Sequence, residues 1–105
     1  MDKAIDRKVR KYIESVAEHQ PGLISAYIFG SYAKNKQQAD SDIDIALVIE
    51  NMLDCDRFDT QVRLMILASH IDNRIEPHPI SKEDLVSNSP FAIEIKRTGI
   101  ELKLS

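Results

Sequence analysis

The segment from Asp42 to Ile49, which reads DIDIALVI, limits what this chain can fold into more than any other part of the sequence. Successive side chains of a β-strand point to opposite faces of a sheet. One face of this strand is then wholly aliphatic, with Ile43, Ile45, Leu47 and Ile49. The other face begins with Asp42 and Asp44 and continues with Ala46 and Val48. The pattern predicts a strand that needs a cover on its aliphatic face and carries two neighbouring carboxylates at its start.

Segments on either side of this strand can supply that cover. Apolar residues recur at helical spacing between Lys3 and Ala17 and again over residues 55–71, which predicts two amphipathic helices. The apolar run from Leu23 to Phe29 predicts a buried strand. In the segment from Arg74 to Ser81, two prolines spaced two residues apart leave the same lateral side without N–H donors. We therefore expect an edge strand there.

The last quarter of the chain contains helix boundaries and a final strand. Ser81 followed by Asp84 has the spacing of an N-terminal cap. Ser89 and Pro90 predict the start of a helix that runs to about Thr98, with Gly99 as its C′ glycine. The remaining residues alternate as in a half-buried strand, with Ile100, Leu102 and Leu104 on one face. The sequence thus predicts one α/β (α+β) domain over residues 1–105, a small mixed β-sheet backed by helices.

Composition excludes several classes of protein. The chain has 105 residues, of which 43% are hydrophobic and 30% charged, so it can form a core and is not expected to be disordered. A net charge of -3 argues against general nucleic-acid binding, which needs a basic face. No apolar run nears the roughly 20 residues that span a bilayer, so no membrane association is expected. The single cysteine, Cys55, fits a reducing cytoplasm.

The paired aspartates are the first candidate functional residues. Asp42 and Asp44 point the same way from one strand, and like charges so close repel unless a cation lies between them. Carboxylate oxygens without histidine or thiolate suit Mg²⁺ or Mn²⁺. The alternative is that both residues belong to ordinary turn chemistry, because Asp40 and Ser41 precede them in a polar loop.

The second candidate is the dipeptide Gly30-Ser31 at the end of the preceding strand. Glycine lets backbone N–H groups approach an anion closely, and the serine hydroxyl adds a donor. Gly-Ser alone is usually an ordinary turn. Next to the strand that carries Asp42 and Asp44, however, it could hold a triphosphate whose oxygens reach the same metal ions.

Together these residues carry a resemblance to a known family. The run GSYAKNKQQADSDIDIALV places Ser31 eleven positions before Asp42, with Asp44 two further on. This arrangement resembles the signature of the DNA polymerase β nucleotidyltransferase superfamily, and at this size it is similar to the minimal nucleotidyltransferases. The resemblance extends from about Ile24 to the end, where SPFAIEIKRTGIELK is similar to that branch's helix, glycine and terminal strand. It implies a small mixed sheet backed by helices.

The resemblance also implies a third carboxylate on a later strand, at Glu76. Asp42 and Asp44 would hold two metal ions, and Glu76 would bind the second ion and help remove a proton from the acceptor. Asp72 is the competing candidate, in a predicted loop. His78 shares a strand face with Glu76 and is either a further metal ligand or a group at the rim. The chain departs from the family pattern at this third acid, often an aspartate, and in having Lys34-Asn35 where Arg-Gly is common.

The implied reaction is attack of a hydroxyl on the α-phosphorus of a nucleoside triphosphate, with ATP as donor and Mg²⁺ or Mn²⁺ as cofactor. Minimal nucleotidyltransferases commonly pair with a helical HEPN toxin, so the resemblance implies AMP transfer onto a tyrosine of such a partner. Two alternatives stay open. One is an antitoxin that binds its partner with little or no catalysis. The other is transfer to a small molecule such as an aminoglycoside, with a homodimer completing the site.

Overall fold

A computed structural model describes residues 3–38 and 41–104. Its helices are α1 (Lys3–His19), α2 (Arg57–Ser69), α3 (Lys82–Leu85) and α4 (Pro90–Thr98), with one 3-10 turn (Asp54–Asp56) before α2. Its strands are β1 (Leu23–Phe29), β2 (Ile43–Ile49), β3 (Ile75–Ser81) and β4 (Ile100–Leu102).

The four strands form one mixed sheet in the order β3-β2-β1-β4. The strand β1 runs antiparallel to both β2 and β4, whereas β2 and β3 are parallel because α2 makes the crossover between them. The strand β3 lies at an edge, as its two prolines predict. The Gln61 side chain of α2 donates to the Pro77 carbonyl oxygen at 2.8 Å, which satisfies one acceptor of that edge. The predicted mixed sheet backed by helices is confirmed.

Helices cover both faces of the sheet. On one face α1 and α2 pack against the aliphatic face of β2, and the Tyr12 hydroxyl donates to the Leu64 carbonyl oxygen at 3.0 Å. On the other face α4 packs against Ala46 and Val48 through Ala92 and Ile95. The aliphatic face of β2 is therefore buried as the alternation predicts. On its second face, Ala46 and Val48, which follow the two aspartates, are also buried.

Serine side chains cap the starts of α3 and α4. The Ser81 hydroxyl accepts from the Asp84 N–H at 3.0 Å, and the Ser89 hydroxyl accepts from the Ala92 N–H at 3.2 Å, so both predicted caps are confirmed. The prediction for Gly99 needs correction. A C′ glycine is usually left-handed, but Gly99 has a φ of -71° because the chain passes directly from α4 into the extended β4.

Other boundaries shift by a few residues. The strand β2 begins at Ile43, so Asp42 lies just before it. The helix predicted over residues 55–71 is shorter, from Arg57 to Ser69. The last strand ends at Leu102, although Leu104 still packs against the core. Within the described residues, every helix is too short or too polar to cross a membrane.

Candidate active site

The first aspartate of β2 and the predicted third acid face each other across neighbouring strands. Asp44 is the register partner of Glu76 in the parallel pairing of β2 with β3. Both residues lie near the starts of their strands, at the end of the sheet where β1 finishes. Parallel strands bring residues far apart in sequence side by side. The strands β2 and β3 thus place their carboxylates side by side at the same end of the sheet.

Asp42 adds a third carboxyl to this acidic group. When Glu76 is protonated, its carboxyl can share a hydrogen bond with the Asp42 carboxylate. That hydrogen bond is the main cause that raises the pKa of Glu76, followed by partial burial and by the charges of Asp42 and Asp44; the charge of His78 acts in the opposite direction. Three carboxyls so close together favour either a shared proton or a bound cation.

The group also includes a histidine whose role the sequence analysis left open. His78 Nε2 lies 3.2 Å from Asp44 Oδ1 and 3.9 Å from Glu76 Oε1. Its ring meets Phe29 edge-on, with the ring centroids 5.1 Å apart. The available signal was its position two residues after Glu76, which places both side chains on one strand face. Its closeness to Asp44 depends on the register of β2 with β3, which the sequence does not show.

The turn after β1 lies against the same aspartate. Phe29 pairs with Asp44, and Gly30 follows with a φ of +73°. A Cβ on Gly30 would run into the Asp44 carboxylate, so a larger residue would displace that side chain. The half-buried Ser31 follows, and its carbonyl oxygen accepts from the Lys36 N–H at 2.8 Å. The structure therefore brings Gly30 beside Asp44, with Ser31 as the next residue of the turn.

A basic cavity adjoins this turn on the α4 side of the sheet. Its volume is about 510 Å³, and Lys34 and Arg97 are among its lining residues together with Glu94. Lys34 belongs to the turn itself, because its N–H donates to the Gly30 carbonyl oxygen at 3.2 Å. Two cations against one acid next to a glycine turn can hold a polyphosphate.

Asp72 does not belong to the acidic group. Its buried carboxylate accepts from Arg74 Nη2 at 2.8 Å and from Lys8 Nζ at 3.0 Å. These hydrogen bonds, those of Arg74 first, hold the pKa of Asp72 far below its ordinary value. Asp72 thus ties α1 to the start of β3, which supports Glu76 over Asp72 as the third acid.

The donor atoms fit a divalent cation. Asp44, Glu76 and His78 each offer one ligand atom, and these atoms all lie within 4.8 Å of one another. Two carboxylates with Asp42 beside them suit Mg²⁺ or Mn²⁺, and an imidazole nitrogen is tolerated better by Mn²⁺. The negative charges of Asp42 and Asp44 also raise the pKa of Glu76, which indicates a repulsion that a cation would relieve.

Comparison with protein families decides the classification. The family model described as "Polymerase beta, Nucleotidyltransferase" matches residues 11–103. The chain belongs to the polymerase β nucleotidyltransferase family. The match begins before Ile24, where the sequence resemblance began, and so includes most of α1. A search of curated proteins found no match.

Solved structures of this family share the fold. A protein from Sulfolobus solfataricus described as a nucleotidyltransferase is 22% identical, with a TM-score of 0.63, and the alignment covers 96% of this chain and 86% of that one. An MNT antitoxin structure, from a complex with the tri-AMPylated Shewanella oneidensis HEPN toxin, gives a TM-score of 0.60 at 18% identity, covering 95% and 72%. A toxin-antitoxin structure with AMP-PNP gives 0.59 at 22% identity, covering 95% and 73%.

Proposed function

We propose that this chain is a metal-dependent nucleotidyltransferase that moves AMP from ATP to a hydroxyl group of a protein, a tyrosine of a HEPN-type toxin, and so acts as an antitoxin. The observation that carries the proposal is the convergence of Asp44 and Glu76 from two strands, with Asp42 lining the same cavity as Glu76. In this proposal Asp42, Asp44 and Glu76 hold Mg²⁺ or Mn²⁺, and Gly30 and Ser31 hold the nucleotide.

The donor nucleotide would lie on the α4 side of the sheet. There the turn at Gly30 and Ser31 can offer backbone and hydroxyl donors to phosphate oxygens. Lys34 and Arg97 line the adjoining cavity and would neutralise the charge of the departing pyrophosphate. This placement puts the α-phosphorus near Asp44, which touches the same turn.

The chemistry needs few groups from the protein. The acceptor hydroxyl loses its proton to Glu76, its oxygen bonds to the α-phosphorus, and the bond from that phosphorus to pyrophosphate breaks. A bound divalent cation would neutralise negative charge on the entering and leaving oxygens. Rigid placement of Asp44, through its contacts with His78 and the Gly30 turn, would keep the carboxylates aligned.

The proposed acceptor is argued from the solved relatives. Two of the solved relatives come from toxin-antitoxin complexes, and one of these contains an AMPylated HEPN toxin. Their identities of 22% and 18% establish a shared fold, so the HEPN partner is part of our proposal. A single domain over residues 1–105, a cytoplasmic location and a homodimer stay predictions.

The second candidate function is an antitoxin that works by docking alone. Helix α2 exposes a row of large apolar side chains to solvent, among them Phe58, which is 75% exposed. Exposed apolar rows often mark protein interaction sites. Docking and catalysis both need such a surface, and only catalysis needs the three carboxylates.

A labelling experiment separates these functions. The chain is incubated with Mg²⁺ and ATP labelled at the α-phosphate, with and without the protein product of the adjacent gene. We expect label on a tyrosine of that protein, lost in Asp44→Asn and retained in Asp54→Asn, whose carboxylate is 99% exposed and outside the site. Complex formation without label would support docking alone. Label on an added aminoglycoside instead would contradict a protein acceptor.

A further inference from the structure

A second cavity reaches the same carboxylates from the other side of β3. Its volume is about 300 Å³, at the lower end of the roughly 300–1,000 Å³ typical of ligand pockets. Its lining includes Asp42, Glu76, Gln61, Met65, Ile75 and Pro77. It lies between α2 and the outer edge of β3, whereas Gly30, Asp44 and His78 are not among its lining residues.

The position of this cavity follows the geometry of in-line transfer. The attacking and leaving oxygens of a phosphoryl transfer lie roughly in line, on opposite sides of the phosphorus. If the triphosphate occupies the Gly30 turn and the basic α4 cavity, pyrophosphate leaves on that side. The attacking hydroxyl must then arrive from the opposite side, where Glu76 and Asp42 face the second cavity.

The lining of this cavity favours an aromatic side chain. Ile75 and Pro77 are buried and form an apolar floor. Met65 is 53% exposed at the mouth, and its flexible thioether can contact the edge of an aromatic ring. Gln61 is held in place by its hydrogen bond to the Pro77 carbonyl oxygen at 2.8 Å. An apolar body with acids at one end matches a phenol, in which a ring carries a single hydroxyl.

The cavity is continuous with an exposed apolar surface on α2. The α2 stripe consists of four large side chains at helical spacing that are 38–75% exposed: Phe58, Val62, Met65 and Ile66. Met65 belongs to both the α2 stripe and the cavity. A further cavity of about 450 Å³ lies beside the α2 stripe, lined by Val62, Ile66 and Leu67 together with His19, Asp59 and Arg63. A small polar acceptor has no apolar surface large enough to cover the α2 stripe, whereas a protein acceptor can dock on it.

We propose that the cavity between α2 and β3 receives the tyrosine of the acceptor protein, and that the α2 stripe binds the apolar surface around that tyrosine. This inference rests on the proposed function. Met65 is then a positioning residue that contacts the phenol ring, and Phe58 contacts the acceptor protein beyond the cavity.

The cavity is tested with small acceptors. N-acetyltyrosinamide and N-acetylserinamide are supplied at increasing concentration with Mg²⁺ and labelled ATP. We expect label on the tyrosine derivative alone. Met65→Ala should raise the KM for this phenol about tenfold, as loss of a well-placed contact does, without raising the KM for ATP. Met65→Leu keeps the apolar bulk and should restore the phenol KM.

The α2 stripe is tested with the acceptor protein that wild type labels. Phe58→Asp should raise the KM for that protein about tenfold or more. Asp in the first turn of a helix is favourable, so α2 should still form. Val86→Asp is the matched control, because Val86 is also 75% exposed but lies after α3, outside the cavity and the stripe. Circular dichroism of each variant verifies the fold.

Different results would contradict the proposed function, the acceptor cavity and the α2 stripe. If wild type labels no acceptor at all, the proposed function is wrong. If wild type is active but Met65→Ala leaves the phenol KM unchanged, or labels serine equally well, the acceptor cavity is wrong and the nucleotidyltransferase assignment stands. Equal effects of Phe58→Asp and Val86→Asp would overturn the role of the α2 stripe.

Discussion

His78 on β3 lies with its Nε2 atom 3.2 Å from Asp44 Oδ1 on β2, within hydrogen-bonding distance. The rings of Phe29 and Phe91 pack against the His78 ring, with centroids 5.1 Å and 5.9 Å from its centroid. A histidine clamped in this way can fix the orientation of the carboxylate it contacts. The packing of aromatic rings on the α4 face of the sheet therefore supports the candidate metal site.

Asp44→Asn should abolish nucleotidyl transfer without unfolding the protein. The amide keeps the shape of the side chain but removes a negative charge beside Glu76, so the metal-free variant should be as stable as wild type or more stable. Mg²⁺ should raise the melting temperature of wild type and not of the variant, because only a metal-binding native state gains stability from the ion. Thermal melts with and without Mg²⁺ test this. Loss of folding with unchanged activity per folded molecule would contradict the assignment.

His78→Gln should reduce transfer less than Asp44→Asn does. Mg²⁺ prefers oxygen ligands, so we expect His78 to orient Asp44 rather than bind this ion. Loss of such an orienting group typically lowers metal affinity or activity about 10–100-fold. Rates at increasing Mg²⁺ concentration measure the effect. Unchanged Mg²⁺-supported rates combined with lost Mn²⁺-supported rates would instead identify His78 as a metal ligand.

Gly30→Ala should damage both stability and the site. Gly30 has a φ of +73°, and a left-handed non-glycine residue costs about 1–2 kcal/mol. The added methyl group would also displace Asp44. Gly22→Ala is the matched control, since Gly22 has a φ of +88° and a Cβ there would lie 2.6 Å from the Glu50 carbonyl oxygen, at the far end of β2.

Both glycine variants should unfold at lower urea concentration than wild type. Only Gly30→Ala should lose Mg²⁺-dependent ATP binding per folded molecule, which titration calorimetry can measure. Equal loss of ATP binding in both variants would show that Gly30 acts through stability alone.

Asp72→Asn should lower stability in a manner that depends on pH. The ion pairs with Arg74 and Lys8 hold the pKa of Asp72 below its unfolded value of about 3.9. Its stabilising contribution is then complete above that value and is lost as the pH falls below it, towards the pKa in the folded state. We expect Asp72→Asn to lower the free energy of unfolding by roughly 1–3 kcal/mol at pH 7. Transfer activity per folded molecule should remain.

Urea unfolding at pH 7 and near pH 3 tests this. The difference between wild type and Asp72→Asn should shrink at the lower pH. A difference that stayed constant with pH would mean that packing, rather than charge, accounts for the role of Asp72.

The sequence predicted the elements whose signals are local. The strand from Leu23 to Phe29 and the helix from Pro90 to Thr98 have the predicted bounds, because apolar runs, caps and an N-terminal proline act within a few residues. The edge position of β3 also followed from its own prolines. Gly99 was wrongly predicted as a C′ glycine, since the course of the chain after α4 depends on where β4 pairs, and that pairing is with the distant β1.

The candidate site also contains residues that the sequence predicted and contacts that only the structure shows. The motif from Gly30 to Asp44 lies within one continuous stretch of sequence, and its spacing sufficed to identify the family. The placement of Glu76 depended on the family resemblance. The approach of His78 to Asp44 and the cavity that contains Met65 arise from the register of β3 on β2 and from the packing of α2 on β3.

By itself the sequence indicated candidate residues for metal and phosphate binding and determined which segments form helices and strands, because those properties depend on side-chain chemistry and short-range periodicity. The tertiary structure alone decided which side chains meet. Contacts between β2, β3 and α2 join residues far apart along the chain, and burial of both sheet faces selects one register among several that the local pattern permits.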